Sequence, residues 1–286
     1  MRLSRREFIE CGAAACLATG VLSACASKPT TTSGKAASAD GSALAKGAAP
    51  IGFDMFLEQR GYSAAPSASL ITGHDFNGGL RYDDDTSLYS GKTYVKQRVA
   101  RVEDVAKKSR PGTLPFFTII GLDTSTPALA NTAADLVLAY LTGVVGLDPA
   151  RLRVTTTETS SSFFPLLAKY VITTSQVRLR SWDEAVKDGG GSGYFAPAGH
   201  PAKSGVASFS LEYVMPDGLE LEIAEISHSD GSGRSSGGIG VERVEMARTG
   251  RIPSWENHLE TFTRALQKEA TRTGASLPRG AAAITG

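Results

Sequence analysis

Apolar residues recur at helical spacing in three stretches of the chain and alternate with polar ones in several others. Phe53-Asp54-Met55-Phe56-Leu57-Glu58 predicts a helix stopping at Gly61. Residues 128–145 predict a second helix, ended by Gly146-Leu147-Asp148-Pro149. Residues 255–270 predict a final amphipathic helix, and Val244-Glu245-Met246 a shorter one before it. Strand-like runs cover 116–120, 152–156, 177–180, 206–214 and 219–226. In the last of these Leu219, Leu221 and Ile223 alternate with Glu220 and Glu222, the pattern of a strand with one wet face. Gly189-Gly190-Gly191-Ser192-Gly193 and the Ser/Gly-rich stretch 227–237 read as loops. Strands interrupted by helices, without strict alternation or internal repeat, predict an α+β fold: an antiparallel β-sheet flanked by helices.

The N-terminus changes where such a domain is expected to reside. Ser4-Arg5-Arg6-Glu7-Phe8-Ile9 followed by an uncharged, mostly small and apolar stretch from Cys11 to Ala24 resembles a twin-arginine export signal. The stretch is shorter than the roughly 20 residues that span a bilayer. It closes on Leu22-Ser23-Ala24-Cys25, similar to a lipoprotein lipobox, so Cys25 is the expected lipidation site. The expected organisation is a signal peptide over 1–24, a flexible tether over 25–50, a domain over 51–272 and a polar tail over 273–286. The tether is Ala, Ser, Thr, Gly and Lys with almost no large apolar side chain, too little to offset the entropy of ordering. The expected location is the extracytoplasmic side of a bacterial envelope, with the membrane a partner through the lipid anchor.

All three cysteines, Cys11, Cys16 and Cys25, fall in or at the end of this leader, so the predicted domain holds no thiol for a disulfide or metal cluster. The whole chain has a formal net charge of +1. Removing the leader, with Arg2, Arg5 and Arg6 against Glu7 and Glu10, leaves it formally neutral. A nucleic-acid binder usually carries a basic excess, so composition gives no support to such a partner.

Candidate chemistry concentrates in Gly238-Ile239-Gly240-Val241-Glu242-Arg243. Before it stand Phe56-Leu57, Gly61-Tyr62 and Pro66-Ser67-Ala68-Ser69-Leu70-Ile71. Next come Gln97-Arg98-Val99-Ala100-Arg101 with Glu103-Asp104-Val105 and Phe116-Phe117, then residues 146–155, then Leu221-Glu222-Ile223. Taken in order, these segments resemble the catalytic core of the alanyl-tRNA synthetases, a class II aminoacyl-tRNA synthetase family, over about residues 52–250. The resemblance implies a six- to seven-stranded antiparallel sheet with an ATP and amino-acid pocket on one face. It implies amino-acid adenylation, in which a carboxylate attacks the α-phosphate of ATP and pyrophosphate leaves, with ATP and Mg2+ required. Arg101 would hold the α-phosphate and the substrate carboxylate and Arg243 the γ-phosphate, since a guanidinium fork binds two oxygens at once. Phe117 would stack on adenine, Gly238 and Gly240 would let the backbone approach the nucleotide, and Glu222 would be a carboxylate near the metal.

The chain departs from the family at several of these places. Leu114-Pro115 replaces its paired histidines, Thr118-Ile119 its Glu-Met, and Ala224-Glu225 its Trp-Asn. Ser236 stands where the family places the Asp that binds the substrate ammonium. Two readings stay open: an enzyme that activates an amino acid or related carboxylate, and a catalytically degenerate relative binding a small amino compound or an envelope partner. The chain stops before any tRNA-binding or editing domain of the family, so tRNA is not expected as a partner. Gly233-Arg234-Ser235-Ser236-Gly237 formally matches an esterase elbow, with His228, His258 or His200 as base, but a chance match in a Ser/Gly-rich run is preferred. His74, His200, His228 and His258 lack metal-ligand spacing, and Asp83-Asp84-Asp85 reads as a solvated acidic loop.

Overall fold

The computed structural model describes residues 50–72, 75–80, 92–101, 104–105, 110–124, 132–195, 206–228 and 235–274. The export signal, Cys25, most of the tether, His74, Asp83-Asp84-Asp85, Glu103, His200 and residues 275–286 lie outside the described residues. Gly52 onward forms a compact unit of its own. Among the described residues no helix is long and apolar enough to cross a membrane.

The elements run α1 (Phe53–Glu58), β1 (Ser63–Ala64), β2 (Ile71–Thr72), β3 (Asp75–Phe76), β4 (Lys92–Ala100), β5 (Phe116–Thr124) and α2 (Thr132–Ala139). Then follow β6 (Leu152–Thr157), α3 (Phe164–Lys169), β7 (Val177–Arg180), α4 (Trp182–Asp188), β8 (Tyr194–Phe195), β9 (Val206–Val214) and β10 (Glu220–His228). The chain closes with β11 (Ser235–Gly240), α5 (Val241–Thr249) and α6 (Trp255–Thr273). The main sheet has the order β1-β4-β5-β11-β10-β9-β6-β7, with β8 also on β9.

The α+β architecture agrees with the sequence pattern, with two corrections. The sheet is not wholly antiparallel: β1 on β4 and β7 on β6 are parallel, each reached through intervening structure, while the six strands between are antiparallel. The predicted loop 227–237 is shorter than expected. β10 runs on to His228, and β11 begins at Ser235 and lies at the centre of the sheet. A run of Ser and Gly has weak strand preference. It is held extended because β5 pairs with one edge and β10 with the other, so both sides of its backbone are hydrogen-bonded.

One sheet face is packed under helices. Phe53 and Phe56 of α1 meet Tyr140, with ring centroids 4.8 and 5.3 Å apart. Ile120, Leu122, Phe209, Leu211, Ile226 and Ile239 are buried on the strands. Gly237 lies under α2, where an added methyl would sit 3.3 Å from Ile226 and 3.5 Å from both Ala133 and Val137. Phe262 of α6 stacks on Phe116 at 5.0 Å and closes the far end with Leu266. Alternation in the strands then sends the intervening residues to the opposite face.

Helix α4 leads into the Gly-rich turn on that opposite face. Ser181 caps it, accepting from the Glu184 N–H while the Glu184 carboxylate accepts from the Ser181 N–H. Ser181→Ala is expected to lower stability by about 1 kcal/mol in urea titrations, because the helix loses its cap and not its packing.

Candidate functional site

The register of β11 defines the open face. Ser236, Gly238 and Gly240 pair with Asp123, Gly121 and Ile119 of β5, while Gly238 and Ser236 pair with Glu225 and Ser227 of β10. Directly paired residues share a face. Phe117 lies two positions along β5 from Ile119 and shares it too. Because Gly121, Gly238 and Gly240 carry no side chain, Ile119 is the one strand side chain on this face between Phe117 and Glu225. A methyl on Gly238 would come no closer than 3.5 Å to anything, and the atom nearest one on Gly240 would be Cδ of Arg243, at 3.6 Å. Internal packing therefore does not require these glycines, and what they provide is open sheet surface.

The hexapeptide divides its side chains between two faces. Ile239 is buried in the core. Glu242 turns to the helix side, where its carboxylate accepts from the N–H and hydroxyl of Thr118 at 2.8 and 3.0 Å, tying α5 to β5. Arg243, in the first turn of α5, reaches the open face: its guanidinium carbon lies 5.5 Å from the centre of the Phe117 ring. Arg101, just past the end of β4, brings its own guanidinium carbon to 5.2 Å from the same ring. Arg101 Nε donates to the carbonyl of Gly78 at 2.9 Å, and its backbone N–H donates to Pro115. Phe117 is only 3 % exposed, so it is a ring covered by two cations and not a bare stacking platform.

Glu222 faces this arrangement and is ion-paired with Arg243 at 3.1 Å. Arg243 Nε is buried without a hydrogen-bond partner among the described residues. A buried guanidinium N–H left unmade is costly, and an acceptor brought by a ligand would satisfy it.

The carboxylates are gathered by a feature with no separate signature in the sequence. The pairing of β10 with β9 shifts by one residue between Glu222 and Ala224. Glu222 and Glu225, three apart, would point to opposite faces of a regular strand; the bulge brings both to the open face. Both meet the Gly-rich turn. The Gly191 N–H donates to Glu225 at 3.2 Å, and a methyl on Gly191 would lie 3.6 Å from the Glu222 carboxylate. Glu225 also accepts from the Ser208 hydroxyl at 3.1 Å. Burial pushes its carboxyl above the usual carboxylate range, the negative charge of Glu222 pushes the same way, and Gly191, Ser208 and Arg101 only partly oppose this.

Across β9, Glu212 pairs with Glu222 and Ser210 with Glu225. Glu212 accepts from the Thr155 hydroxyl at 2.8 Å through one oxygen. Its other oxygen, and the hydroxyl of the fully buried Ser210, have no hydrogen-bond partner among the described residues. Burial raises the Glu212 carboxyl to about 7 against Thr155 and Arg178, with Glu222 and Glu220 adding to the rise.

The structure thus gathers Arg101, Phe117, Glu222, Gly238, Gly240 and Arg243 on one face. Ser236 is there too, but its hydroxyl is engaged with that of Ser227 at 2.6 Å. One strand over, Glu225 pairs with Gly238 and is the carboxylate nearest in register to Ser236 on this face. In the sequence Glu225 stands out only as a departure from the family pattern, and Ser208, Ser210 and Glu212 match no part of it. The signal available was polar residues at every second position, 208, 210 and 212, of a strand that is otherwise apolar. Ser235 opens a strand and not a strand-to-helix turn, which removes the geometry of an esterase elbow. His258 is buried on α6, and burial lowers its imidazole below the usual range.

No protein-family model matches the chain, and no curated protein matches it. Solved structures do. The chain is similar to class II aminoacyl-tRNA synthetase domains. Against an apo histidyl-tRNA synthetase of S. aureus, the identity is 12% and the TM-score 0.38, covering 69% of this chain and 67% of that one. Against the RNA-binding domain of threonyl-tRNA synthetase from Cryptosporidium parvum, the identity is 12% and the TM-score 0.33, covering 65% and 55%. The chain thus spans little more than half of that second chain.

Proposed function

We propose that the open face binds ATP and the carboxylate of a small amino compound and joins them as an adenylate, in the manner of the alanyl-tRNA synthetase core that the ordered segments resemble. The observation that carries this reading is the convergence of Arg101 and Arg243 on Phe117 beside the bare backbone of Gly238 and Gly240. Two fixed guanidinium groups suit a phosphate chain, and charge already in place costs little reorganisation when more negative charge develops on phosphate oxygens. The unpartnered Nε of Arg243 is the donor such a ligand would engage. An adenine reaching Phe117 has to displace one of the guanidiniums covering it. Among the described residues no three carboxylate, imidazole or thiol groups form a metal site. Mg2+ would enter with the nucleotide, and Glu222 is the carboxylate at hand.

The ion pair between Glu222 and Arg243 supports the second reading, a binding protein without catalysis, because it occupies the cation that the nucleotide would need. Amino-acid-dependent ATP–pyrophosphate exchange by the full-length chain in detergent separates the two. Exchange is expected, and Arg243→Ala is expected to reduce it about a hundredfold. No exchange with any amino acid, together with no thermal shift on adding ATP, leaves only the binding reading. Exchange that survives the substitution refutes the site.

We also infer, from the leader and the Leu22-Ser23-Ala24-Cys25 segment, that the domain is exported and held to the membrane by lipid on Cys25. Cys25→Ala should move the protein from the membrane fraction to the soluble one. Unchanged membrane association would refute lipidation.

A further inference from the structure

Past the two arginines the same face of the sheet carries three carboxyl groups among the hydroxyls of Ser208, Ser210 and Thr155. Glu225 stands at its inner edge, Glu222 beside it, and Glu212 one strand further on. Ser210 sits between Thr155 and Glu225 in the strand register. Two polar atoms there have unmet capacity among the described residues: the second carboxylate oxygen of Glu212, a residue 9 % exposed, and the hydroxyl of Ser210, which is fully buried. Buried polar groups are normally paired, so these two mark a place where a partner is missing. In its ionised form the Glu212 carboxyl can only accept, and a partner that brings N–H groups and positive charge favours that form. A single ammonium brings three donors and a positive charge. It answers both the unmet acceptors and the repulsion between carboxylates that no described cation neutralises fully.

We propose that the subsite formed by Glu212 and Ser210, beside Glu225, binds the cationic side chain of a basic amino acid. The proposal rests on the open face being the ligand site and specifies the chemistry of its ligand. In this arrangement Arg101 meets the ligand carboxylate, Glu225 its α-ammonium, and Glu212 with Ser210 the distal ammonium or guanidinium. Glu225 takes the role that Ser236, engaged with Ser227, leaves open. A neutral side chain would leave Glu212 and Ser210 unsatisfied, and sites with buried polar groups reject ligands that cannot pair with them. A bare divalent ion fits less well, because the carboxylates sit on two strands without converging as a ligand set among the described residues.

The test is calorimetric titration of the full-length chain in detergent with L-lysine and L-norleucine, which share a carbon skeleton and differ by the distal ammonium, and separately with MgCl2. L-lysine is expected to bind and L-norleucine to bind at least about tenfold more weakly, and Glu212→Gln and Glu225→Gln should each weaken L-lysine by a similar factor. Ser210→Ala should weaken it less. Equal binding of L-norleucine, no binding of L-lysine, or a MgCl2 affinity that follows the same two substitutions would each overturn the proposal. L-lysine binding without ATP–pyrophosphate exchange would refute the activation reading and leave this one standing. Exchange supported only by a neutral amino acid would do the reverse.

Discussion

Alanine at position 193 is expected to destabilise the domain by roughly 3 kcal/mol and to dismantle the acidic half of the open face. Gly193 has φ of 97° and lies against β6: a Cβ there would sit 2.8 Å from the carbonyl carbon and 2.9 Å from the Cα of Thr156. Both atoms belong to a backbone paired in the sheet, so neither can turn aside as a side chain would. The carbonyl of Gly193 also accepts from the Ser208 N–H at 3.0 Å, which fixes the turn to β9 as well. The turn itself must move, and with it the Gly191 N–H that holds Glu225. Gly189→Ala is the matched control. Its φ of 83° and ψ of −157° also strain any side chain, but a methyl there meets nothing within 4 Å, so a loss from backbone strain alone of about 2 kcal/mol is expected. Urea denaturation of the two variants isolates the clash. Equal losses would show that the turn is not pinned to β6.

That turn illustrates what the sequence discloses and what it withholds. Four glycines in five residues announced a loop, and the strands at 177–180 and 206–214 were legible to the residue because their apolar runs are bounded by turn signals. Helix α1 was legible for the same reason. Strand β11 was not, since Ser235-Ser236-Gly237-Gly238-Ile239-Gly240 has no intrinsic preference for extension and takes it from two neighbours far away in the chain. The parallel pairings of β1 and β7 are likewise properties of topology, invisible to local periodicity. Of the residues gathered on the open face, Arg101, Phe117 and Arg243 stand out in the sequence because the resemblance attaches an expected role to each. It attaches none to Glu225 or Glu212. The bulge between Glu222 and Ala224 decides which face Glu225 takes, and Glu212 matters only through strands on either side of β9.

The same two carboxylates set the expected response to pH. In the folded protein Glu212 keeps its proton up to about 7, and Glu225 is raised as well, in both cases through burial. The unfolded chain releases these protons from about 4.5 upward. Between those values the folded state holds more protons than the unfolded one, so stability falls as pH rises, and above about 7 the contribution is fully lost. For Glu212 alone this amounts to roughly 3 kcal/mol. His258 works against it: burial lowers its imidazole below the ordinary value of 6.5, so acid favours protonation of the unfolded chain and this one group favours the higher pH. Asp54, Asp135 and Glu269, whose carboxyls are lowered through Lys96, Lys169 and Arg272 against their burial, stabilise the fold above the ordinary carboxylate range and lose that effect in stronger acid. Stability is therefore expected to peak near about pH 5 and to be lower at about pH 8. Glu212→Gln keeps an oxygen for the Thr155 hydroxyl and removes the titration, so it should raise stability at about pH 8 while leaving it nearly unchanged at about pH 5. Denaturant titrations across that range measure the slope directly. An unaltered slope in the variant would show that Glu212 is hydrated and ionised in the folded protein, and the case for an ammonium-binding subsite beside Ser210 would fall with it. If the slope does flatten, the buried charge cost at Glu212 is the cost that a cationic ligand would relieve, and the stability lost at neutral pH becomes available to binding.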